Sequence, residues 1–333
     1  MKYEKPWLSY EQQLDKLISN GLIVDSRSHA LSSLERIGYY RLSGYWYPFR
    51  ERSELCCAYS PTIKNPNKKQ KRETKLVFDN FMRGARFESA VNLYIFDKKL
   101  RLLVLDALER IEIALRVDIS HLLGQLSPFA YLEPDYFKDI FSKRLNPKTG
   151  VIPQHQWLQN HAQLISRSRE EFILHAKEKY GLPVPIWVAC EVWDFGTLSR
   201  LFKGMLPEQQ TVIARKYDIE KGETLESWLR CLNYLRNVCA HHSRLWNRNM
   251  IEQPKQEGLK DIKYIHKRLS SHSVARPFLQ FCLVQHLLSK INPNSTWWNR
   301  LLDLLDVFPC LNEQGITLET MGVIEGYKDW NWQ

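Results

Sequence analysis

Residues 235–248 read LRNVCAHHSRLWNR. Arg236, Asn237, His241 and His242 stand among Leu, Val and Cys, so the stretch is either the polar edge of a core helix or a reactive site. A His that titrates near neutrality takes or gives a proton. A neighbouring guanidinium holds a phosphate and stabilises the charge that builds on a phosphorane. An Asn amide can orient either group. Together these side chains suffice to cleave RNA without a metal. The 2′-hydroxyl attacks the adjacent phosphate, giving a 2′,3′-cyclic phosphate and a 5′-hydroxyl. Acid plus base usually needs two such groups, and a homodimer that pairs two copies of the stretch would supply them. The competing reading is that Arg and His gather at a helix C-terminus because water and the helix dipole favour cations there.

The Arg-x4-His spacing decides little by itself, since Arg116 with His121 and Arg169 with His175 offer similar pairs. A helical wheel says more. At about 100° per residue, Leu225, Trp228, Leu229, Leu232, Leu235, Val238 and Cys239 share one broad face. Arg230, Asn233, Asn237 and His241 share the opposite one, and Arg236 lies at the border. His242 leans towards Leu235 and Val238, which predicts a packing or supporting role. His241 is then the better proton-transfer candidate.

The elements that must carry this stretch are helical. Residues 8–20 predict an amphipathic helix with Ser9 as N-cap, Gln12 completing a capping box and Gly21 as the stop. A second helix is expected over 28–37. GYYRLSGYWYPFR, residues 38–50, suits extended or tightly turned structure, and its aromatics with Arg41 and Arg50 either stack on bases or pack in the core. Residues 60–77, SPTIKNPNKKQKRETKLV, read as a solvated positive loop; Lys64, Lys68, Lys69, Lys71, Arg72 and Lys75 could touch phosphates. From Arg86 to Leu123 there is no Gly or Pro, which predicts one long helix or two with a slight break, ended by Gly124 and Pro128. An irregular stretch follows over 125–155. Further helices are expected over 155–179, 185–204, 207–217, 224 to about 244, 258–270, 275–290 and 295–306.

The 333 residues are 44% hydrophobic and 25% charged, with only 14 Gly, which describes a globular, mainly α chain. The expected organisation is a small N-terminal α(+β) module over 1–59, a basic loop over 60–77, a helical domain over 78–248 and a helical region over 249–333. Net charge is +10 and the pI is about 9.2, which favours a polyanionic partner. Seven scattered Cys form no C-x-x-C pair, so neither a disulfide framework nor a zinc site is expected. The N-terminus lacks the apolar core of a signal peptide, and no apolar run approaches the ~20 residues of a membrane span. The chain reads as cytoplasmic, without membrane contact. Phosphate-binding Gly loops and the H-E-x-x-H zinc motif are absent, and no cofactor or metal is expected.

Four ordered blocks resemble the Abi-like family of bacterial abortive-infection proteins, the AbiD/AbiF group of the HEPN nuclease superfamily. They are KPWLSYEQQLDKLISNGL with IGYYRLSGYWYPF, LDALERIEIALRVDISH, PIWVACEVWDFGTLSRLF and LNYLRNVCAHHSRLWNR, spanning residues 5–248. The resemblance implies a helical HEPN domain over 78–248 with a composite site across a dimer, and a metal-independent RNase toxin against phage infection. Arg236 and His241 are then the catalytic pair and Asn237 their polar companion. Glu112 and Arg116 match the family's E-x-x-x-R; they orient the motif helix, bind phosphate, or form a plain salt bridge. Glu191 and His242 are supporting candidates, and Arg41, Arg244 and Arg248 candidate RNA contacts. A structured non-coding RNA is a further expected partner. The alternatives are a non-catalytic protein holding such an RNA on the same scaffold, and an adaptor whose Arg and His only pack.

Overall fold

The computed structural model describes residues 4, 6–54, 56–58, 72–262, 264–265 and 270–332. Its fold is mainly α, as the sequence predicts. The chain divides into two compact units, one of residues 1–98 with 307–318 and one of 99–306 with 319–333.

The first unit opens with α1 (Tyr10–Ser19), whose Ser9 N-cap and Gln12 form the expected capping box. Gly21 follows at φ +93°, the left-handed backbone that stops a helix. The second helix, α2 (Arg27–Ile37), ends at Gly38, also at φ +93°. The aromatic stretch then departs from expectation. It folds as α3 (Tyr39–Trp46) and a 3-10 turn (Tyr47–Phe49). Leu42, Tyr45, Trp46 and Phe49 are buried at helical spacing, so burial on one side overrides the strand preference of the rings. The Tyr45 hydroxyl donates to buried Asp97 at 2.7 Å.

Two antiparallel pairs complete this unit: β1 (Arg50–Arg52) with β4 (Val77–Phe81), and β2 (Cys56–Ala58) with β3 (Arg72–Thr74). The basic stretch expected as loop is therefore strand over Arg72–Thr74 and from Val77 onward. Backbone pairing with β2 and β1 supplies what the polar side chains do not. Lys64, Lys68, Lys69 and Lys71 lie outside the described residues.

One unbroken helix, α4 (Phe87–Gly124), answers the long Gly-free and Pro-free run. Its residues 99–124 belong to the second unit. There the chain forms α5 (Asp139–Ser142), α6 (Pro153–Arg167), α7 (Glu171–Tyr180), α8 (Ile186–Ala189), α9 (Phe195–Gly204), α10 (Pro207–Arg215), α11 (Gly222–Ala240), α12 (Ser271–Val274), α13 (Pro277–Ile291) and α14 (Trp297–Asp306). Two expected helices are broken. The 155–179 run stops at Arg167, and the Ser168 hydroxyl accepts from the Glu170 backbone N–H before the chain restarts. The 185–204 run breaks at Trp193–Asp194, where Asp194 caps α9 through the Thr197 N–H at 2.7 Å. At the second break the Asp194 side chain is the N-cap that starts the new helix; at the first, Ser168 bonds the backbone two residues on, a local turn that competes with helix. The 258–270 expectation becomes a 3-10 segment (Gln256–Asp261); residues 263 and 266–269 lie outside the described residues. Among the described residues no helix is long and apolar enough to cross a membrane.

The core of this unit is α13, buried from Pro277 to Leu288 on every side. A helix apolar all round belongs in an interior. Two of its polar members find partners there: Gln280 Nε2 donates to the Glu252 carbonyl at 2.9 Å, and His286 Nε2 bonds the Tyr217 carbonyl at 2.8 Å. Burial holds the His286 pKa below its ordinary value. Helix α11 packs against α13, α10 and α9. Its first residue, Gly222, lets α10 approach closely, since a Cβ there would stand 2.4 Å from Gln210 Cβ and 2.8 Å from the Gln210 carbonyl carbon. Gly222→Ala should therefore push α10 off α11 and lower unfolding stability by about 1–3 kcal/mol, measured by chemical denaturation.

Candidate functional site

The motif sits on the last turn of α11 and the loop after it. The apolar stripe read from the wheel, Leu225, Trp228, Leu229, Leu232, Leu235, Val238 and Cys239, is buried throughout. Arg236 and Asn237 are half-buried and His241 is exposed, so the division of faces holds for them.

The helix ends four residues earlier than expected, at Ala240. His241 is the C-cap, and His242 adopts φ +56°. The His242 N–H donates to the Cys239 carbonyl and the Ser243 N–H to the Val238 carbonyl, both at 3.0 Å. These two bonds are a Schellman closure, which usually places Gly where His242 stands. The reversal carries His242 away from Leu235 and Val238 and exposes it. The expected packing role is thus overturned, because the wheel assumes a helix that continues. Beyond the turn, Arg101 Nη1 donates to the Ser243 carbonyl at 3.3 Å. Leu245 and Trp246 are fully buried and anchor the trailing segment.

A cleft of about 470 Å³ opens between α9 and α11. Arg236 and Asn237 line it from α11 together with Arg230 and Asn233; Asp194, Arg200 and Lys203 line it from the α9 side. Gly196 allows the approach, since a Cβ there would meet the Asn233 side-chain oxygen at 3.3 Å. Four cations face two carboxylates, Asp194 and Glu226, so the cleft favours an anion. Arg230 is held by Glu252 at 2.7 Å. Among the described residues the side chains of Arg236, Asn237 and His241 make no hydrogen bond or ion pair.

Glu112 and Arg116 form a pair one turn apart on α4, with Arg116 Nη2 2.6 Å from Glu112 Oε1. The same nitrogen donates to the Trp193 carbonyl at 2.7 Å, which fastens α4 to the residue preceding the Asp194 cap. Glu191 stands 3.9 Å from Arg116 and is half-exposed. Burial pushes the Glu112 carboxyl above its ordinary range, while the charges of Arg116 and Arg236 pull it back. Arg236 therefore lies within electrostatic reach of this pair. Trp193 is fixed in turn by its indole N–H, which donates to His161 Nδ1 at 2.9 Å. His161 stacks on Trp157, and burial drives its pKa down to about 4.

The remaining sequence candidates are dispersed. Arg248 donates from Nε to the Tyr234 hydroxyl at 2.9 Å and lies over that ring, so its guanidinium is already engaged within the fold. Arg244 is half-buried in the loop after the motif. Arg41 and Lys75 are exposed residues of the first unit, and Arg72 lies in β3. The cleft also contains residues not singled out in the sequence: Asp194, Gly196, Arg200, Lys203 and Glu226. The Asp194–Thr197 spacing of an N-capped helix start was the available signal for the α9 side.

Two outcomes follow from this geometry. His242→Gly should stabilise the fold by about 0.5–1 kcal/mol in thermal or chemical denaturation, because Gly adopts the left-handed backbone without cost. A fall in stability would show that the imidazole contributes more than the backbone strain. The second concerns acid. His161 is neutral in the fold to about pH 4 but protonates near 6.5 when unfolded. The unfolded state binds the extra proton in that window, so its contribution is complete above 6.5 and is lost as pH falls through about 4. Wild type should lose roughly 3 kcal/mol more than His161→Gln between neutral pH and pH 4, measured by urea unfolding.

Comparison with known proteins finds one family, described as Abi-like protein, matching residues 32–247. No curated protein and no solved structure was found to match the chain. The matched span takes in α11, the Glu112–Arg116 pair, Asp194 and both His of the motif, and it covers well over half of the sequence. The chain belongs to the Abi-like protein family.

Proposed function

We propose that this protein is an abortive-infection factor that cleaves RNA without a metal ion, with Arg236, Asn237 and His241 as its reacting face. Family membership supports the abortive-infection role. The observation that carries the chemistry is one of employment. Arg116, Arg230 and Arg248 are tied to partners inside the fold. Arg236, Asn237 and His241 have no side-chain partner among the described residues, although they crowd one turn and a half of helix. Polar groups that the fold leaves unused are available to a ligand.

The reaction follows from the groups. An RNA phosphodiester enters the cationic cleft, and the Arg236 guanidinium bonds its non-bridging oxygens. The 2′-hydroxyl loses its proton to a His and attacks phosphorus. The bond to the 5′-oxygen breaks, and that oxygen takes a proton from an acid. Arg236 and the Asn237 amide stabilise the charge on the phosphorane. His241 does not line the cleft that holds Arg236, so one chain supplies its Arg and His at separated points of the helix end. A homodimer that apposes two α11 ends completes the acid–base pair.

Purified wild type should cut single-stranded RNA in EDTA, leaving 2′,3′-cyclic phosphate ends. Arg236→Ala and His241→Ala should each slow cutting by about a hundredfold or more. An inactive wild type, or variants that cut equally well, sinks the reading. The absence of a His from the cleft lining favours a second reading, in which the cleft holds a structured RNA without cutting it. Arg236→Ala would then release co-purifying RNA, with no cleavage by either protein.

A further inference from the structure

The first unit contains a larger cleft than the one on α11, about 1050 Å³. Aromatic side chains line it, and three of them show their rings to solvent: Trp7 is 84% exposed, Tyr40 80% and Tyr47 46%. Large rings are normally drawn into the core, and this chain has buried many of its other Trp and Tyr side chains. Rings left outside around one cleft mark a surface for flat, apolar, π-bearing ligands. Lys16 stands at the same cleft, exposed and without an ion pair among the described residues. The unit as a whole holds seventeen Lys and Arg against twelve Asp and Glu.

Two further atoms bear on the occupant. Trp46 Nε1 and Gln13 Oε1 belong to cleft residues, are buried and have no hydrogen-bond partner among the described residues. One is a donor and the other an acceptor, and leaving a buried polar group unpaired is unfavourable. Neither atom is open to solvent, so a ligand edge would reach them only after a lining side chain moves. A nucleobase edge carries donors and acceptors together and can answer both. A proline-rich peptide also suits aromatic grooves, but proline has no N–H to offer Gln13, and such a peptide brings no anion for Lys16.

We propose that this cleft binds unpaired bases of single-stranded RNA, stacked on Trp7 and Tyr40, with a backbone phosphate at Lys16. The site is distinct in residues from the α11 cleft, and it stands whether or not the protein cuts RNA.

The test uses the whole chain and a labelled single strand of about eight 2′-O-methyl nucleotides. Such a strand has no free 2′-hydroxyl and cannot be cut by the chemistry described above, so anisotropy reads binding alone. Trp7→Ala and Tyr40→Ala should each weaken binding about tenfold, and Trp7→Phe should keep most of the affinity. Both side chains are exposed, so melting temperatures should match wild type. A 4-thiouridine strand should crosslink to peptides containing Trp7 or Tyr40. The proposal is overturned by unchanged affinity in both alanine variants or by adducts confined to residues 99–306. It is equally overturned if a duplex of the same sequence, a free mononucleotide or a proline-rich peptide binds more tightly than the strand.

Discussion

Burial of one face of α11 is the constraint on which the rest of the second unit depends. Leu225, Trp228, Leu229, Leu232, Leu235, Val238 and Cys239 are all withdrawn from water. Side chains of this kind contribute about 1.5–3 kcal/mol each when buried, which fixes the rotation of the helix about its axis. Once that rotation is fixed, Asn233, Asn237 and Arg236 have no choice but to face the α9 side. The cleft is the polar complement of a packing decision. Gly196 and Gly222 allow that decision by letting α9 and α10 come close to α11.

The charges around the cleft divide into those that hold the fold and those that do not. Arg116 joins α4 to the Trp193 carbonyl, and Trp193 is pinned by neutral His161. This chain of bonds sets where Asp194 caps α9 and so where the far wall of the cleft begins. Glu112 lies within the field of both Arg116 and Arg236. It couples the structural cation to the unengaged one without bonding the latter. The resemblance left open whether Glu112 and Arg116 bind phosphate, orient the motif or form a salt bridge. The hydrogen bonds favour orientation, because both Glu112 and the Trp193 carbonyl are already bonded to one guanidinium nitrogen.

The end of α11 shows how a single backbone torsion redistributes roles. A continued helix would have sent His242 into the apolar side. The Schellman closure instead turns the chain at His242, exposes both imidazoles and feeds Leu245 and Trp246 back into the core. A residue with a Cβ at φ +56° is held there by the buried segment that follows and by Arg101 on the Ser243 carbonyl. The first unit has a parallel case. Gly38 ends α2 and starts α3, and the aromatic run becomes helix because Leu42, Tyr45 and Trp46 fall on one side.

The sequence alone determined the helical class, the capping of α1, the long helical run of α4, the buried stripe of α11 and the outward placement of Asn237 and His241, with Arg236 at the border. Each of these rests on local spacing: period 3.6, a cap three residues from its partner, or a run free of Gly and Pro. It also carried the family, through blocks that the 32–247 match takes in for the most part. Tertiary structure decided where α11 stops, that His242 is exposed and that Arg248 is engaged by Tyr234. It also brought Arg200, Lys203 and Asp194 beside Arg236. These outcomes depend on contacts between residues about thirty or more apart in the chain, or on a reversal paid for by burial further on. Side-chain spacing along one helix carries no information about either.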